Sequence, residues 1–517
     1  METPVSAETT DRTLGRRVAV ASLYAVLQRV VLRGLGIFST LLLVRLLQPD
    51  DFGVVALAFA VYAVLDVLTA TGFGMALVRM KDPQPAHYNT VFTLTILRGV
   101  VIALVVGVLA EWQARFMGEP RIGPVMWVVA ASAFVQSFES VRVFDFERNL
   151  RFDRLLRYTL VSKVLALVIS LPLAFWLQNY WALVLGIPLS RLVTIPYSYY
   201  LAPHRPRLTL EAWRELFGFS KWLMLGNLCT VADGQLMTFI VGRFQGMAAV
   251  GLYQVGFQIA ALPITEIAAP IRPPIFAGFS RVWHDVEELR RQYMNGFELQ
   301  WVLLVPLSIG LMLTSREVTL LFLGGEKWGS LATLMPLIAL YSLFDNFGVF
   351  VQMIFIVTNR QRPMVIAYFV LILLRLVVVA YGAATHGIEG AAWALLGSAI
   401  LNASVWQAMV GPLMNLKPSR VLRALWRGTL AALVMCAVVL LVPDDVGTGM
   451  LGAATWQVVF ALLVKAGVGA PAYIGALLLF WALSGSPQQA AEAHLVRACQ
   501  AALQRSLAGL MPRRRAL

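Results

Sequence analysis

The chain has 517 residues, of which 59% are hydrophobic and only 14% charged, with a mean hydropathy of +0.73. Soluble domains carry closer to a quarter charged residues, so a soluble globular protein is excluded and a polytopic membrane protein is indicated. The net charge of +14 does not point to nucleic acid, because Lys and Arg are scattered between apolar runs and form no single basic surface.

Apolar runs of about 20 residues cross a bilayer as helices. In chain order the sequence predicts fourteen: 18–46, 53–79, 90–111, 122–145, 156–177, 180–201, 217–243, 246–280, 296–322, 330–357, 363–384, 388–414, 424–442 and 455–482. The first carries Arg29 and Arg33, spaced to share a helix face. Each cation costs roughly 2.5–3.5 kcal/mol at a bilayer centre, so a face that concentrates two suggests a site for an anion such as a phosphate. The run closes on Pro49-Asp50-Asp51-Phe52-Gly53, a turn signal. Span 7 holds Asp233 in VADGQ. Span 8 reads LPITEIAAPIRPPIF, with Pro263, Pro270, Pro273 and Pro274 around Glu266 and Arg272. Proline frees backbone carbonyls, which is tolerated where helices line a cavity. The segment therefore reads either as a broken helix at a transport site or as a helix that is merely kinked.

An internal repeat relates the two halves. LLLVRLLQPDDFGVVALAF aligns with FIVGRFQGMAAVGLYQVGF, so that Arg45 matches Arg243, Gly53 matches Gly251 and Phe59 matches Phe257. Both copies lie at hairpins on the same side, which predicts two parallel units of six spans. The expected organisation is a cytoplasmic N-terminus (1–17), an N-lobe (18–201), a basic linker (202–216), a C-lobe (217–414), two extra spans (415–482) and a basic amphipathic tail (483–517) lying on the membrane. With the N-terminus inside, inner segments hold 28 basic residues and outer segments 6. That is the positive-inside bias expected of an even span count with both termini cytoplasmic.

Catalytic motifs are missing. There is no G-x-x-x-x-G-K-[ST], H-E-x-x-H or G-x-S-x-G. The three cysteines, Cys229, Cys436 and Cys499, have no metal-ligand spacing, and the N-terminus lacks a signal-peptide pattern. The five histidines, at 87, 204, 284, 386 and 494, fall outside the predicted spans, so no histidine relay is expected in the membrane.

What remains is charge inside the spans. The basic members are Arg29, Arg33, Arg98, Lys163, Arg191, Arg272, Arg375 and Lys465; the acidic ones are Asp66, Glu139, Asp233, Glu266, Glu298 and Asp345. Glu139, Lys163 and Glu298 are close enough to an inner end to snorkel. For Arg33, Arg98, Arg191, Arg375 and Lys465 two readings stand: a buried ion pair, or a side chain facing a wet cavity.

The stretches L-V-R-L-L-Q-P-D-D-F-G-V-V-A-L, F-G-F-S-K-W-L-M-L-G-N and R-F-Q-G-M-A-A-V-G-L-Y-Q-V-G-F-Q-I-A-A-L-P resemble the polysaccharide transporter family. These are the O-antigen and exopolysaccharide flippases of the MATE-like MOP superfamily. The resemblance covers about residues 18–415. It implies an all-α integral membrane protein with two six-helix lobes, plus two extra C-terminal helices, and a cavity lined mainly by spans 1, 2, 7 and 8. It implies a substrate, an oligosaccharide repeat unit on undecaprenyl pyrophosphate, moved across the bacterial cytoplasmic membrane for exopolysaccharide, O-antigen or capsule export. Polysaccharide polymerases and other glycan-assembly proteins would be the partners. On this reading Arg29, Arg33, Arg98, Arg272 and Arg375 are the expected pyrophosphate ligands. Asp66, Asp233 and Glu266 are the candidates for coupling to H+ or Na+. No bond is broken, so no enzyme and no cofactor is expected. The fourteen spans also resemble the lipid II flippase branch. A MATE-type cation or drug antiporter should have acids dominating its cavity, and a glycan polymerase or ligase should have a large outer loop.

Overall fold

The computed structural model describes residues 5–69, 73–216, 221–324, 327–443, 455–485 and 493, and every regular element among them is helical. The chain divides into two compact units, Met1–Gln254 and Val255–Leu517. The boundary falls inside a helix, whereas the sequence placed it at the 202–216 linker.

Unit 1 begins with α1 (Val5–Leu46), which starts well before the expected residue 18; its apolar part is Leu27–Leu46. It is followed by α2 (Pro49–Leu68), α3 (Phe73–Arg79), α4 (Pro85–Met117), α5 (Ile122–Gln136), the short α6 (Phe144–Arg148), α7 (Phe152–Leu177), α8 (Trp181–Leu201), one turn of α9 (Trp213–Leu216) and most of α10 (Lys221–Ala260). The PDDFG turn forms for a local reason. Pro49 occupies the first turn of α2, and the Asp51 carboxylate accepts from the Gln48 amide at 2.9 Å and the Tyr180 amide at 2.8 Å. Two backbone donors left open at a helix start and a neighbouring turn are thereby satisfied. Within unit 1, α4 packs on α5, α7 on α8 and α1 on α7. Val54, Leu57, Val106, Ile122 and Met126 are fully enclosed. Val108 and Trp176 are 76% and 84% exposed, as befits side chains whose surroundings are lipid.

Unit 2 contains the end of α10, a π-helical turn at Ile264–Ala268, then α11 (Ala269–Val282), α12 (Val286–Leu313), α13 (Ser315–Val318), α14 (Leu331–Asp345), α15 (Gly348–Val357), α16 (Gln361–Val410), α17 (Pro418–Leu440) and α18 (Thr455–Leu483). Helix α12 packs on α14 and α17, α14 on α16, and α17 on α18.

Among the described residues, eleven helices are long and apolar enough to cross a membrane, or twelve if the bent pair Ile122–Gln136 and Val141–Arg148 counts as one span. Two of these contain a reversal. In α10, Gly246 has φ +79°, and a Cβ on Gly242 would touch Val250. In α16, Gly387 has φ +69°, and a Cβ on Gly382 would lie 2.5 Å from the Gly390 carbonyl oxygen. Residues eight apart in a straight helix are about 12 Å apart along the axis, so each is a helical hairpin turning on a glycine in the left-handed region. Fourteen crossings are compatible with these elements. The expected amphipathic tail lies outside the described residues except for residues 483–485 and Ala493.

The repeat has a physical counterpart in unit 1. A Cβ on Gly53 would lie 1.9 Å from the Met247 carbonyl oxygen, and one on Gly251 would lie 1.8 Å from the Pro49 carbonyl oxygen. The offset that aligns Gly53 with Gly251 also aligns Pro49 with Met247. The close approach of α2 and α10 is thus reciprocal, each copy's glycine receiving the other copy's backbone.

Candidate substrate-binding site

The charges inside the spans resolve mainly into pairs. Arg98 on α4 meets the Asp66 carboxylate of α2 at 2.5 Å, and also donates to the Thr69 hydroxyl and the Asp66 carbonyl. Arg191 on α8 lies 3.6 Å from Glu139, which also accepts the Tyr158 hydroxyl. Tyr62 on α2 donates to Asp66 and lies within coulombic reach of both Arg98 and Arg191. In unit 2, Arg375 is 3% exposed and binds Asp345 at 2.8 Å, with its guanidinium over the Tyr341 ring. Arg427 on α17 pairs with Glu298 on α12, and Lys465 on α18 with Glu317 on α13 at 2.6 Å.

Several expectations change accordingly. Arg98 and Arg375, expected to hold an anion, each face a carboxylate. Lys465 follows the buried-pair reading, whereas Arg191 is paired but only half-buried. Glu298 does not snorkel: it is 8% exposed and paired across to α17. Arg427, inside the expected span 424–442, is 7% exposed within α17. His87 lies in the first turn of α4, and His386 at the α16 reversal.

The other expected residues stand differently. Arg29 is exposed, in the first turn of the Leu27–Leu46 span, and Arg33 is half-buried one turn further on, with its Nε buried. Asp233 is buried on α10, one turn from Cys229. Glu266 is exposed on the π-helical turn and accepts from the Thr265 hydroxyl at 2.9 Å. Pro263 starts that turn, Pro270 lies in the first turn of α11, and Pro273 and Pro274 lie within α11.

Arg272 is half-buried on α11 and donates to the Asn346 side-chain oxygen at 2.5 Å. No carboxylate pairs with it among the described residues. Asn346 occupies the break between α14 and α15, beside Asp345, so adjacent residues of one junction hold Arg272 and Arg375. The Asn346 amide nitrogen is buried without a partner. Gln300, whose amide nitrogen is likewise buried and unpartnered, lines a small apolar pocket with Ile271 and Phe350. The junction thus offers a cation balanced by a neutral amide, together with an unsatisfied donor. Sequence reading missed Asn346, Gln300, Glu317 and Arg427. The one available signal was Asp345-Asn346-Phe347-Gly348, turn-forming residues inside an apolar run.

The model of a family described as "Polysaccharide biosynthesis protein" matches residues 42–333, more than half of the chain. The succinoglycan biosynthesis transport protein ExoT of Rhizobium meliloti (strain 1021) is 25% identical over 342 residues, covering 66% of this chain and 67% of that one. The lipopolysaccharide biosynthesis protein WzxC of Escherichia coli (strain K12) is 22% identical over 338 residues, covering 63% and 67%. Among solved structures, the lipid II flippase MurJ in an inward closed conformation aligns with a TM-score of 0.70 at 12% identity, over 90% of this chain and 99% of that one. An inward-facing multidrug resistance MATE family transporter of the MOP superfamily aligns with a TM-score of 0.59 at 15% identity, over 74% and 95%. At such identities these two likenesses establish the fold.

Proposed function

This chain belongs to the polysaccharide biosynthesis protein family, and we propose that it is a flippase. It moves oligosaccharide repeat units on undecaprenyl pyrophosphate across the bacterial cytoplasmic membrane by alternating access, with both termini cytoplasmic. The relatives named for succinoglycan transport and lipopolysaccharide biosynthesis support this reading. The observation that carries it is Arg272. Other deep cations, Arg98, Arg191, Arg375, Arg427 and Lys465, are each balanced by a carboxylate, whereas Arg272 is held by the amide of Asn346. An arriving diphosphate exchanges with a neutral hydrogen bond there and need not break an ion pair. Charge-assisted, bidentate contacts then offset the hydration that the headgroup gives up. Arg29 and Arg33 are the further candidates for anion contact. Arg98 and Arg375 become available only if their pairs with Asp66 and Asp345 open. No bond of the substrate is broken.

The test is export in a host lacking its own flippase. At equal membrane abundance, Arg272→Ala and Arg33→Ala should each reduce surface polysaccharide at least tenfold, with Arg272→Lys intermediate because a lysine keeps the charge but not the fork. Near-normal export by Arg272→Ala would remove the diphosphate site from α11.

Coupling to H+ or Na+ is part of the same proposal, through Asp66, Asp233 or Glu266. In vesicles with an imposed pH gradient, Asp66→Asn should lose gradient dependence while Asp66→Glu keeps it. A wild type indifferent to both pH and Na+ gradients would end the coupling idea.

A further inference from the structure

At one end of unit 1, where α4 begins and α8 ends, the 202–212 segment folds back over the first turns of α4. It is held there by backbone amides: Arg207 donates to the Asn89 side chain at 3.1 Å, Thr209 to the Thr93 hydroxyl at 3.0 Å and Ala212 to the Thr90 hydroxyl at 3.2 Å. Between this segment and the helix ends lies a cleft of about 610 Å3, lined by Arg142, Arg205, Arg207, His204, Tyr199 and Asn89. Among the described residues, no carboxylate lines it. The neighbouring Asp145 is committed to the Tyr88 hydroxyl at 2.6 Å and to Arg148, and Glu215 to His87. Arg142 sits over the Tyr88 ring and touches the Pro203 carbonyl, and Arg205 and Arg207 are exposed with no acid partner among the described residues. Nε2 of His204 is buried and unpartnered.

Exposed apolar side chains lie on the same segment and on the helices that flank it. Tyr200 and Leu208 are 79% and 70% exposed, and Leu210 and Trp213 are also exposed. Aromatic and leucine side chains beside arginines, at the level where spanning helices end, are what the boundary between headgroups and acyl chains selects. A dissolved anion would need the arginines but not these exposed apolar neighbours along the chain.

We propose that this cleft seats the phosphate headgroup of an anionic phospholipid. The guanidinium forks of Arg205 and Arg207 hold the phosphate oxygens, Arg142 adds charge from behind, and His204 donates to the same anion. Leu208, Leu210 and Trp213 lie against the acyl chains, fastening the 202–212 segment to one leaflet. This site is independent of Arg272 and of the transport reading.

The full-length protein in neutral detergent is titrated with phosphatidylglycerol, phosphatidylcholine and inorganic pyrophosphate, and bound species are counted by native mass spectrometry. Phosphatidylglycerol should bind about tenfold more tightly than phosphatidylcholine, and Arg205→Gln/Arg207→Gln should remove that preference. His204→Gln should weaken it by a smaller factor, and Arg272→Gln should leave it unchanged. Both arginines are exposed, so the double variant tests binding and not folding. Equal phosphatidylglycerol affinity in wild type and Arg205→Gln/Arg207→Gln overturns the assignment. So does pyrophosphate binding that needs these arginines without any preference for the anionic lipid, which would make this a soluble-anion site.

Discussion

Two side chains decide the most at the residue scale. Asp66 and Arg98 neutralise each other, so removing one leaves the other's charge unbalanced in a partly desolvated place. This is why the Asp66→Asn experiment needs Asp66→Asn/Arg98→Gln beside it. If Asp66 only balances Arg98, the double variant should recover abundance and activity together. If Asp66 carries the coupled proton, abundance should recover while gradient dependence stays lost. His204 gives a pH dependence of definite sign. Burial first, and the Arg142 charge second, hold its imidazole below the usual value, while Asp145 pulls partly the other way. As pH falls through about 6.5 the unfolded chain takes up this proton before the folded one does, so stability is lost on acidification. Thermal unfolding in detergent should show wild type losing more stability than His204→Gln between neutral pH and about pH 5.5. An identical pH slope in the two proteins would count against a strained neutral His204. An anion in the cleft should flatten the wild-type slope, since it favours the protonated ring.

At the element scale, the reciprocal packing of Gly53 and Gly251 is the sharpest constraint. Each glycine admits a backbone carbonyl where a Cβ would lie within 2 Å of it. Neither contact is with a flexible side-chain end, so a methyl group must push the two helices apart. Gly251→Ala should therefore cost about 1–3 kcal/mol, in the range of an overpacked core, read as a lowered unfolding midpoint in detergent. Once the helices have separated for one alanine, the second costs less. Gly53→Ala/Gly251→Ala should accordingly be less destabilised than the sum of the single variants. Additive or negligible effects would mean that α2 and α10 do not approach as closely as this.

At the scale of the whole molecule, helices α17 and α18 are attached to the rest of unit 2 by charge as well as by apolar area. Glu298–Arg427 ties α12 to α17, and Glu317–Lys465 ties α13 to α18. Trp301 donates to the Leu425 carbonyl at 3.0 Å, and the Tyr473 hydroxyl to the Val302 carbonyl at 2.8 Å. Lipid is as apolar as leucine, so burial alone gives helices little reason to associate in one register, and polar contacts can supply it. Breaking one buried pair leaves a lone charge and costs about 3–5 kcal/mol, whereas replacing both members by neutral residues can be nearly free. Arg427→Met should lower the yield of folded protein sharply, and Glu298→Gln/Arg427→Met should restore most of it. Equal yields for the two would show that this pair does not hold α17 in place.

The sequence by itself determined the helical membrane class and the correspondence between the two hairpin glycines. Apolar runs of bilayer length admit only helices, because the backbone's need for internal hydrogen bonds acts within a few residues along the chain. The glycine correspondence was legible because a backbone approach that excludes a Cβ leaves a glycine at each equivalent position. The tertiary structure decided which charges are neutralised. Arg98, Arg272 and Arg375 look alike in sequence, each a lone cation in an apolar run. Two find a carboxylate and one finds an amide, on residues between 30 and 74 positions away along the chain. An ion pair depends on a few ångströms between helices that only packing brings together. For that reason the candidate ligand at Arg272 could be listed among others from the sequence, and was singled out only by its partner.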